Sequence, residues 1–227
     1  VIIDANNFYN LPENGGFGEN ITRISRRTNE TGGRSFQRDI RTFAMTAGFE
    51  GTLHAGEKYF DWEAGYFRGQ NKANNTTFGL FNVEALRQAL GPSFLDPSDG
   101  VVKCGTTTAI ISGCVPMNFL GGAGGITQDM LDFSTFTAHD EFSYTQETYF
   151  ANISGDIVEL PAGALGFSFG LEHRTEDGYD SPDALINSGS TTGNARTATA
   201  GGYSLDEANL ELAVPVLADV PFAKLLD

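Results

Sequence analysis

The stretch SGDIVELPAGALGFSFGLEHRTEDG, residues 154–178, decides the fold, because it reads as two strands joined by a tight Pro-Ala-Gly turn. After the turn, the odd-numbered positions are the apolar Leu165, Phe167, Phe169 and Leu171, and the even-numbered positions are mainly glycine, serine and charged residues. Successive side chains of a strand point to opposite faces, so this alternation predicts a strand whose two faces meet different surroundings. A half-buried soluble sheet and a membrane-spanning barrel share the pattern, and the alternation alone leaves both open.

The same alternation recurs elsewhere in the chain. Strands are predicted at roughly 35–51, 59–73, 142–158, 164–177 and 203–216, with another beginning near 222. Because every second residue of a strand points to the same face, the apolar residues of each predicted strand share one face. We expect them to lie together on one convex face of a single antiparallel sheet. The set is Phe43, Met45, Trp62, Ala64, Leu165, Phe167, Phe169, Leu210 and Leu212.

The connections between the predicted strands alternate between short and long. Short turns are expected at about 51–58, 158–164 and 215–221, and long loops at about 1–33, 74–141 and 178–202. A transmembrane barrel has this asymmetry, with short periplasmic turns at one end and long extracellular loops at the other. Since soluble sandwiches seldom sort their loops in this way, the connections favour an all-β, antiparallel transmembrane barrel, with lipid on the Leu/Phe face and water on the other.

Composition and charge narrow the function classes. Only 19% of the 227 residues are charged, the net charge is −15, and no apolar run approaches the ~20 residues of a membrane-spanning helix. The acidic balance argues against general nucleic-acid binding, which needs a basic surface. The chain starts at Val1 without a signal peptide and stops within the apolar FAKLLD, so we expect it to be a piece of a longer protein.

The two cysteines, Cys104 and Cys114, lie close together in CGTTTAIISGC, without a metal-binding Cys-x-x-Cys motif or a neighbouring histidine. We predict that they form a disulfide. Such a bond would close a short loop, stabilise it by roughly 3 kcal/mol and imply an oxidising compartment. Two free thiols are the alternative.

Two segments of the long loop 74–141 have helical patterns. FNVEALRQALG, residues 81–91, ends in a Gly-Pro stop signal, and ITQDMLDF carries Thr127 as a capping-box-like residue. Both are predicted to be short helices folded over the mouth of the barrel. Between them, GGAGG at 121–125 fits neither a dinucleotide-binding nor a Walker motif and is predicted to be a flexible loop.

Positive charge is concentrated in one segment of an otherwise acidic chain. Six of the 14 lysine and arginine residues are Arg23, Arg26, Arg27, Arg34, Arg38 and Arg41. Guanidinium groups bind oxyanions bidentately, so the first four of these are candidate contacts for an anionic ligand or for lipopolysaccharide phosphates. Phe8 and Tyr9 are candidates for a flat contact surface beside them. Pairing with Glu19, Glu30 and Asp39, or a solvated rim, is the alternative.

Catalytic and metal-binding patterns were not found in the sequence. His54, His139 and His173 are scattered, and no nucleophile elbow or metal-ligand spacing occurs. Asp96 and Asp99 lack the spacing of a calcium loop and are predicted to form an ordinary acidic turn. We therefore expect no enzymatic activity, no cofactor and no metal.

Several segments resemble the barrel of TonB-dependent outer-membrane receptors of Gram-negative bacteria. They are DANNFYN, TTFGLFNVEALRQALGPSFLD, CVPMNFLGGAGGITQDMLDF, ANISGDIVELPAGALGFSFGLEHR and ELAVPVLADVPFAKLLD, with an RR…E…GR pattern near 26–34. The resemblance covers nearly the whole chain. It implies a 22-stranded barrel around a plug, contacts with outer-membrane lipid and lipopolysaccharide, and import of a scarce nutrient such as a ferric siderophore with energy from the TonB complex.

The chain departs from that pattern in its extent. It has no plug, no TonB-interacting box and no C-terminal aromatic strand, and about five or six strands cannot close such a barrel. We therefore expect an internal fragment of the barrel, with residues 1–227 as one part of a single domain. A passive porin and a secreted β-rich adhesion or binding module are the alternatives.

Overall fold

A computed structural model describes residues 1–217 of the protein. Its elements in chain order are β1 (Ser35–Ala55), β2 (Lys58–Phe81), α1 (Val83–Ala89), β3 (Ser93–Leu95), β4 (Val102–Thr106), β5 (Ala109–Ile110), α2 (Gln128–Ser134), β6 (Thr135–Leu160), β7 (Gly163–Ser181), α3 (Ala184–Asn187) and β8 (Thr199–Ala213). Short 3-10 helices cover Phe8–Asn10, Pro12–Asn14 and Asn29–Thr31. The prediction of an all-β, antiparallel fold with short helices in a long loop is confirmed. In the described part of the chain, no helix has the length and apolar character needed to cross a bilayer.

Five long strands form one sheet in the order β1-β2-β6-β7-β8, and β3, β4 and β5 form a second, small sheet. All five of the predicted strands that fall within residues 1–217 are present. The sixth, expected near 222, lies outside the described residues. Within the described residues the large sheet is not closed, so its edge strands are β1 and β8.

Between the described strands of the large sheet, short and long connections alternate, and each is shorter than expected; the expected turn at about 215–221 extends outside the described residues. Only residues 56–57 separate β1 from β2, and only 161–162 separate β6 from β7. The long connections are 82–134 and 182–198. The boundaries shift because strands continue beyond the apolar alternation: the polar run NKANNTTF is still part of β2, since backbone pairing needs no apolar face.

The chain divides into two compact units. The first consists of Val1–Asp39, Asn74–Glu141 and Asp180–Thr199, and the second of Ile40–Ala73, Phe142–Tyr179 and the described residues from Ala200. The first unit contains the main hydrophobic core: Ile3, Phe81, Leu86, Ala89, Leu90, Met117, Ile126, Met130 and Leu131. The long connections are therefore largely a packed body, not open loops.

The two predicted helices, α1 and α2, supply much of this core, and both are capped by short polar side chains. Asn82 Oδ1 accepts a hydrogen bond from the backbone amide of Glu84 at 2.9 Å, and Thr127 caps α2 as predicted. The helices end within two residues of the predicted segments. A further helical turn, α3, was not predicted from the sequence because it has only one turn.

The predicted disulfide between Cys104 and Cys114 is confirmed, with sulfur atoms 2.01 Å apart. Cys104 lies on β4, opposite Ser93 of β3, and is fully buried. The backbone amide of Ile111 donates to the Cys104 carbonyl at 3.0 Å. The bond thus closes the small β3-β4-β5 sheet, whose strands are too short to produce a visible alternation in the sequence.

In the second unit, side-chain contacts agree with the predicted parity. The Thr52 hydroxyl donates to Asp61 at 2.7 Å, and the Asn152 amide donates to Glu63 at 2.7 Å. These polar side chains of neighbouring strands therefore lie on the same face of the sheet. On the other parity, the rings of Phe60 and Phe167 lie 5.9 Å apart. Tyr66 and Arg68, on the same parity as Phe60, both contact Glu147, so the face with aromatic contacts also carries polar pairs further along the strands.

The apolar face of this sheet is exposed on its edge strands, while Trp62, Leu165 and Phe167 on the inner strands are half-buried. Phe43 is 52% exposed, Leu210 is 63% exposed and Leu212 is 56% exposed. A soluble sandwich would bury such residues against a second sheet, where each would contribute about 1.5–3 kcal/mol. No such burial occurs at these positions. Whether this face is convex stays a prediction.

Candidate functional site

The opening segment DANNFYN is tied into the core of the first unit by two fully buried asparagines. Asn7 Nδ2 donates to the carbonyls of Ala89 at 3.2 Å and Gly91 at 3.0 Å. Asn10 Nδ2 donates in the same way to the carbonyls of Asp4 and Glu19. Buried side-chain amides of this kind satisfy backbone carbonyls in segments that form neither a helix nor a strand, and so stabilise those segments. The asparagines of this segment therefore have a structural purpose.

Phe8 and Tyr9, the predicted flat contact surface, are both half-buried, with their rings edge to face at 5.4 Å. Tyr9 packs against the core cluster, and burial raises the pKa of its hydroxyl. The core thus already uses part of the Tyr9 ring, and the Phe8 ring contacts Tyr9. A ligand contact at these residues stays a prediction.

Arg26 is the most constrained of the predicted arginines. Its guanidinium donates to the carbonyls of Asn118 at 3.0 Å, Phe119 at 3.2 Å and Gly122 at 3.0 Å, and it pairs with Glu30. The Glu30 carboxylate also accepts from the backbone amide of Gly124 at 3.0 Å. Hydrogen bonding to backbone amides, its own and that of Gly124, together with Arg26 lowers the pKa of Glu30.

Arg23, Arg27 and Arg34 differ from Arg26, because their side chains are exposed and have no ion pair or hydrogen bond with the residues that the structure describes. The expected pairing with Glu30 thus applies to Arg26 alone. The predicted set thus divides into one arginine held by backbone carbonyls and three exposed ones, and of the four only Arg26 and Arg27 line the same cavity. Their role in ligand binding stays a prediction.

A cavity of about 510 Å³ lies where the arginine segment meets the glycine loop 121–125. Its walls include Phe17, Arg26, Arg27, Phe119 and the backbone of 121–123. Pockets that hold small molecules have volumes of about 300–1,000 Å³, with apolar walls and a few polar groups. This cavity is the candidate site, since it is the place where an accessible predicted arginine borders a concave surface.

Sequence reasoning missed two parts of this site. Phe17 was not singled out, although it follows two glycines and is 69% exposed. The GGAGG loop was predicted to be flexible, but its backbone holds Arg26 through Gly122 and Glu30 through Gly124. The glycine run was a visible signal, but its partners lie more than 90 positions away in the chain.

The polar face of the second unit forms a larger groove, of about 740 Å³. Glu50, Asp61, Glu63 and Asn152 are among the residues that line it, and the three carboxylates make the groove acidic. Among residues 1–217, no three or more His, Cys, Asp or Glu side chains are arranged to hold a metal ion. The expectations of no metal, no cofactor and no enzymatic activity stay predictions.

The acidic turn at Asp96 and Asp99 is neutralised within the first unit. Lys103 Nζ lies 2.6 Å from Asp96 and 2.7 Å from Asp99. Hydrogen bonds from Lys103 and then Ser98 hold the pKa of Asp96 well below its usual range. Both carboxylates thus have a structural partner, as expected of an ordinary turn.

No family model, curated protein or solved structure matches the chain. The resemblance of the quoted segments to TonB-dependent receptors therefore rests on those segments alone. What the chain does must be argued from its geometry.

Proposed function

We propose that the chain is part of a transmembrane β-barrel in the outer membrane of a Gram-negative bacterium, and that the whole protein takes up a scarce nutrient with TonB-supplied energy. The observation that carries the proposal is the exposed apolar face of a single sheet of long strands. Water would make that face costly, because each exposed Leu or Phe forgoes about 1.5–3 kcal/mol of burial. Lipid removes this cost.

Strand length supports the membrane setting. The five long strands have 21, 24, 26, 19 and 15 residues. A tilted strand crosses the hydrocarbon core in about 9–11 residues. Strands of globular proteins usually have about 3–10 residues. Each long strand can therefore cross the bilayer and continue beyond it.

The order of connections supports the orientation. Two-residue turns at 56–57 and 161–162 alternate with the long connections 82–134 and 182–198. Neighbouring strands are antiparallel, so the short turns share one end of the sheet and the long connections share the other. On this basis the turns are periplasmic, and the long connections are extracellular.

The packed first unit favours a receptor over a passive porin. Its connections have their own core, against which Phe119 packs, and the buried Asn10 accepts a hydrogen bond from the backbone amide of Phe17 at 3.1 Å, so both contact residues that line the cavity at Arg27. A passive channel has no need of such a cavity. The TonB complex would act through a plug, which the resemblance implies outside this chain.

Fractionation and growth of a bacterium that carries the full-length gene test this function. We expect the protein in the outer-membrane fraction, resistant to a urea wash and with heat-dependent mobility on a denaturing gel. We also expect deletion of this gene and deletion of tonB to cause the same growth defect on one limiting nutrient. A protein released into the soluble fraction would contradict the membrane claim, and a growth defect independent of TonB would indicate a porin.

A further inference from the structure

Hydrogen bonds hold one wall of the cavity next to the glycine loop. Arg26 donates hydrogen bonds to three carbonyls of segment 118–122. The Glu30 carboxylate forms an ion pair with Arg26 and accepts a hydrogen bond from the backbone amide of Gly124. These bonds join residues 26–30 to the glycine loop across a wide separation in sequence. A preformed cavity loses little entropy when a ligand enters it.

The electrostatic balance inside the cavity is positive. Among the residues that line it, Glu30 is the one carboxylate, and the guanidinium of Arg26 neutralises it. Arg27 adds a second guanidinium that has no partner among the described residues. A guanidinium fork without a partner binds an oxyanion through two parallel hydrogen bonds.

The same cavity has aromatic walls. Phe17 and Phe119 are both among the residues that line it, and Phe17 is 69% exposed, so its side chain is accessible. Rings in such a position offer flat, apolar contact area to another ring. Arg27 and Phe17 thus present an anion-binding group and a stacking surface within one cavity of about 510 Å³.

We propose that this cavity binds an oxyanion carried on a flat apolar ring, of which an aromatic carboxylate is the simplest example. Arg27 would bind the carboxylate, and Phe17 with Phe119 would contact the ring. Phe8 and Tyr9 do not line the cavity and are not part of this site. The role of such a molecule as cargo rests on the proposed function, but its binding does not.

Titration of the purified protein in detergent with sodium benzoate, followed by ligand-observed NMR, tests this proposal. Cyclohexanecarboxylate keeps the charge without the flat ring, and benzyl alcohol keeps the ring without the charge. We expect benzoate to bind more tightly than either. Raised salt should weaken benzoate binding and leave benzyl alcohol unaffected, because salt screens only the charged contact.

Variants assign the binding to named side chains. Arg27→Gln and Phe17→Ala should each weaken benzoate binding, the first by about tenfold or more because a charge-assisted contact is lost. Arg23→Gln is the matched control, since Arg23 is also exposed and unpaired among the described residues but is not one of the residues that line the cavity. Unchanged binding in Arg27→Gln, or an equal loss in Arg23→Gln, would overturn the proposal.

The binding measurement is separate from the test of uptake. A protein that binds benzoate through Arg27 but is not in the outer membrane would keep this site and lose the proposed function. A TonB-dependent barrel whose cavity does not bind benzoate would keep the proposed function and lose this site. Circular dichroism of each variant shows whether a loss of binding comes from loss of the fold, and a variant that keeps its spectrum gives a binding result that counts.

Discussion

Arg26 and Glu30 form an ion pair in which both side chains are only 12% exposed, while the neighbouring Arg27 is exposed and lines the same cavity as Arg26. Two arginines adjacent in sequence therefore have different roles, one structural and one accessible to solvent. The first holds the glycine loop through backbone carbonyls, and the second is accessible to a ligand. This division links the local fold of the first unit to its candidate site.

Replacing Arg26 should destabilise the first unit. Arg26→Gln leaves Glu30 without its counter-charge and frees the carbonyls of Asn118, Phe119 and Gly122. We expect the melting temperature of the first unit to fall by several degrees. Arg27→Gln is the matched control and should melt as the wild type does; equal melting of all three proteins would show that the Arg26 contacts contribute nothing.

Asn7 should matter far more than its neighbour Asn6. Asn7→Ala leaves the carbonyls of Ala89 and Gly91 without their side-chain donor and the amide of Tyr9 without its acceptor. Each buried group left unpaired costs about 1–3 kcal/mol. Asn6 is exposed, and its side chain reaches only Asp4, so Asn6→Ala should be nearly neutral in denaturant unfolding. Similar losses in both variants would be inconsistent with the buried network.

Removal of the disulfide should have a local effect. The double variant Cys104→Ser and Cys114→Ser should lose about 3 kcal/mol, because the short loop gains freedom in the unfolded state. We expect proteolysis to reach segment 92–114 faster while the long strands stay protected. Unchanged cleavage within this segment would show that the small sheet does not depend on the bond.

Acidification should weaken the same small sheet. The pKa values of Asp96 and Asp99 are held below their ordinary value of 3.8, first of all by hydrogen bonds from Lys103. Groups with a lowered pKa in the folded state contribute stability above the unfolded pKa, and that stability is lost as pH falls below it. Amide exchange at 96–103 should therefore rise below about pH 4.

The control for this pH effect is Lys103→Met. It removes the group that lowers both pKa values, so its amide exchange should depend much less on pH over the same range. An acid response as large as that of the wild type would assign the effect to other carboxylates.

The long strands were predictable from the sequence, because alternation needs only neighbouring residues to be visible. Leu165, Phe167 and Phe169 show the period directly, and the side-chain contacts of the second unit agree with it. Strand ends were less predictable, since pairing continues through polar residues such as Asn74 and Asn75. The disulfide was predictable from its short spacing.

The candidate site was predictable only in part. Its arginines stood out by their concentration, but the difference between Arg26 and Arg27 depends on carbonyls near residue 120, and a sequence does not show which distant segments meet. Phe17 offered no pattern at all. The sequence therefore did not predict how distant loop segments pack together, because the hydrogen bonds that join them produce no periodic pattern of residues.

Lipid contact on the apolar face is the most direct test of the whole account. The chain's two cysteines are bonded to each other, so single spin labels at Leu210→Cys and Asn209→Cys, adjacent residues of β8, can be compared in the protein reconstituted in bilayers. We predict that oxygen, which concentrates in lipid, relaxes the label at 210, and that a water-soluble nickel chelate relaxes the label at 209. Equal access of the nickel chelate to both labels would contradict the transmembrane barrel.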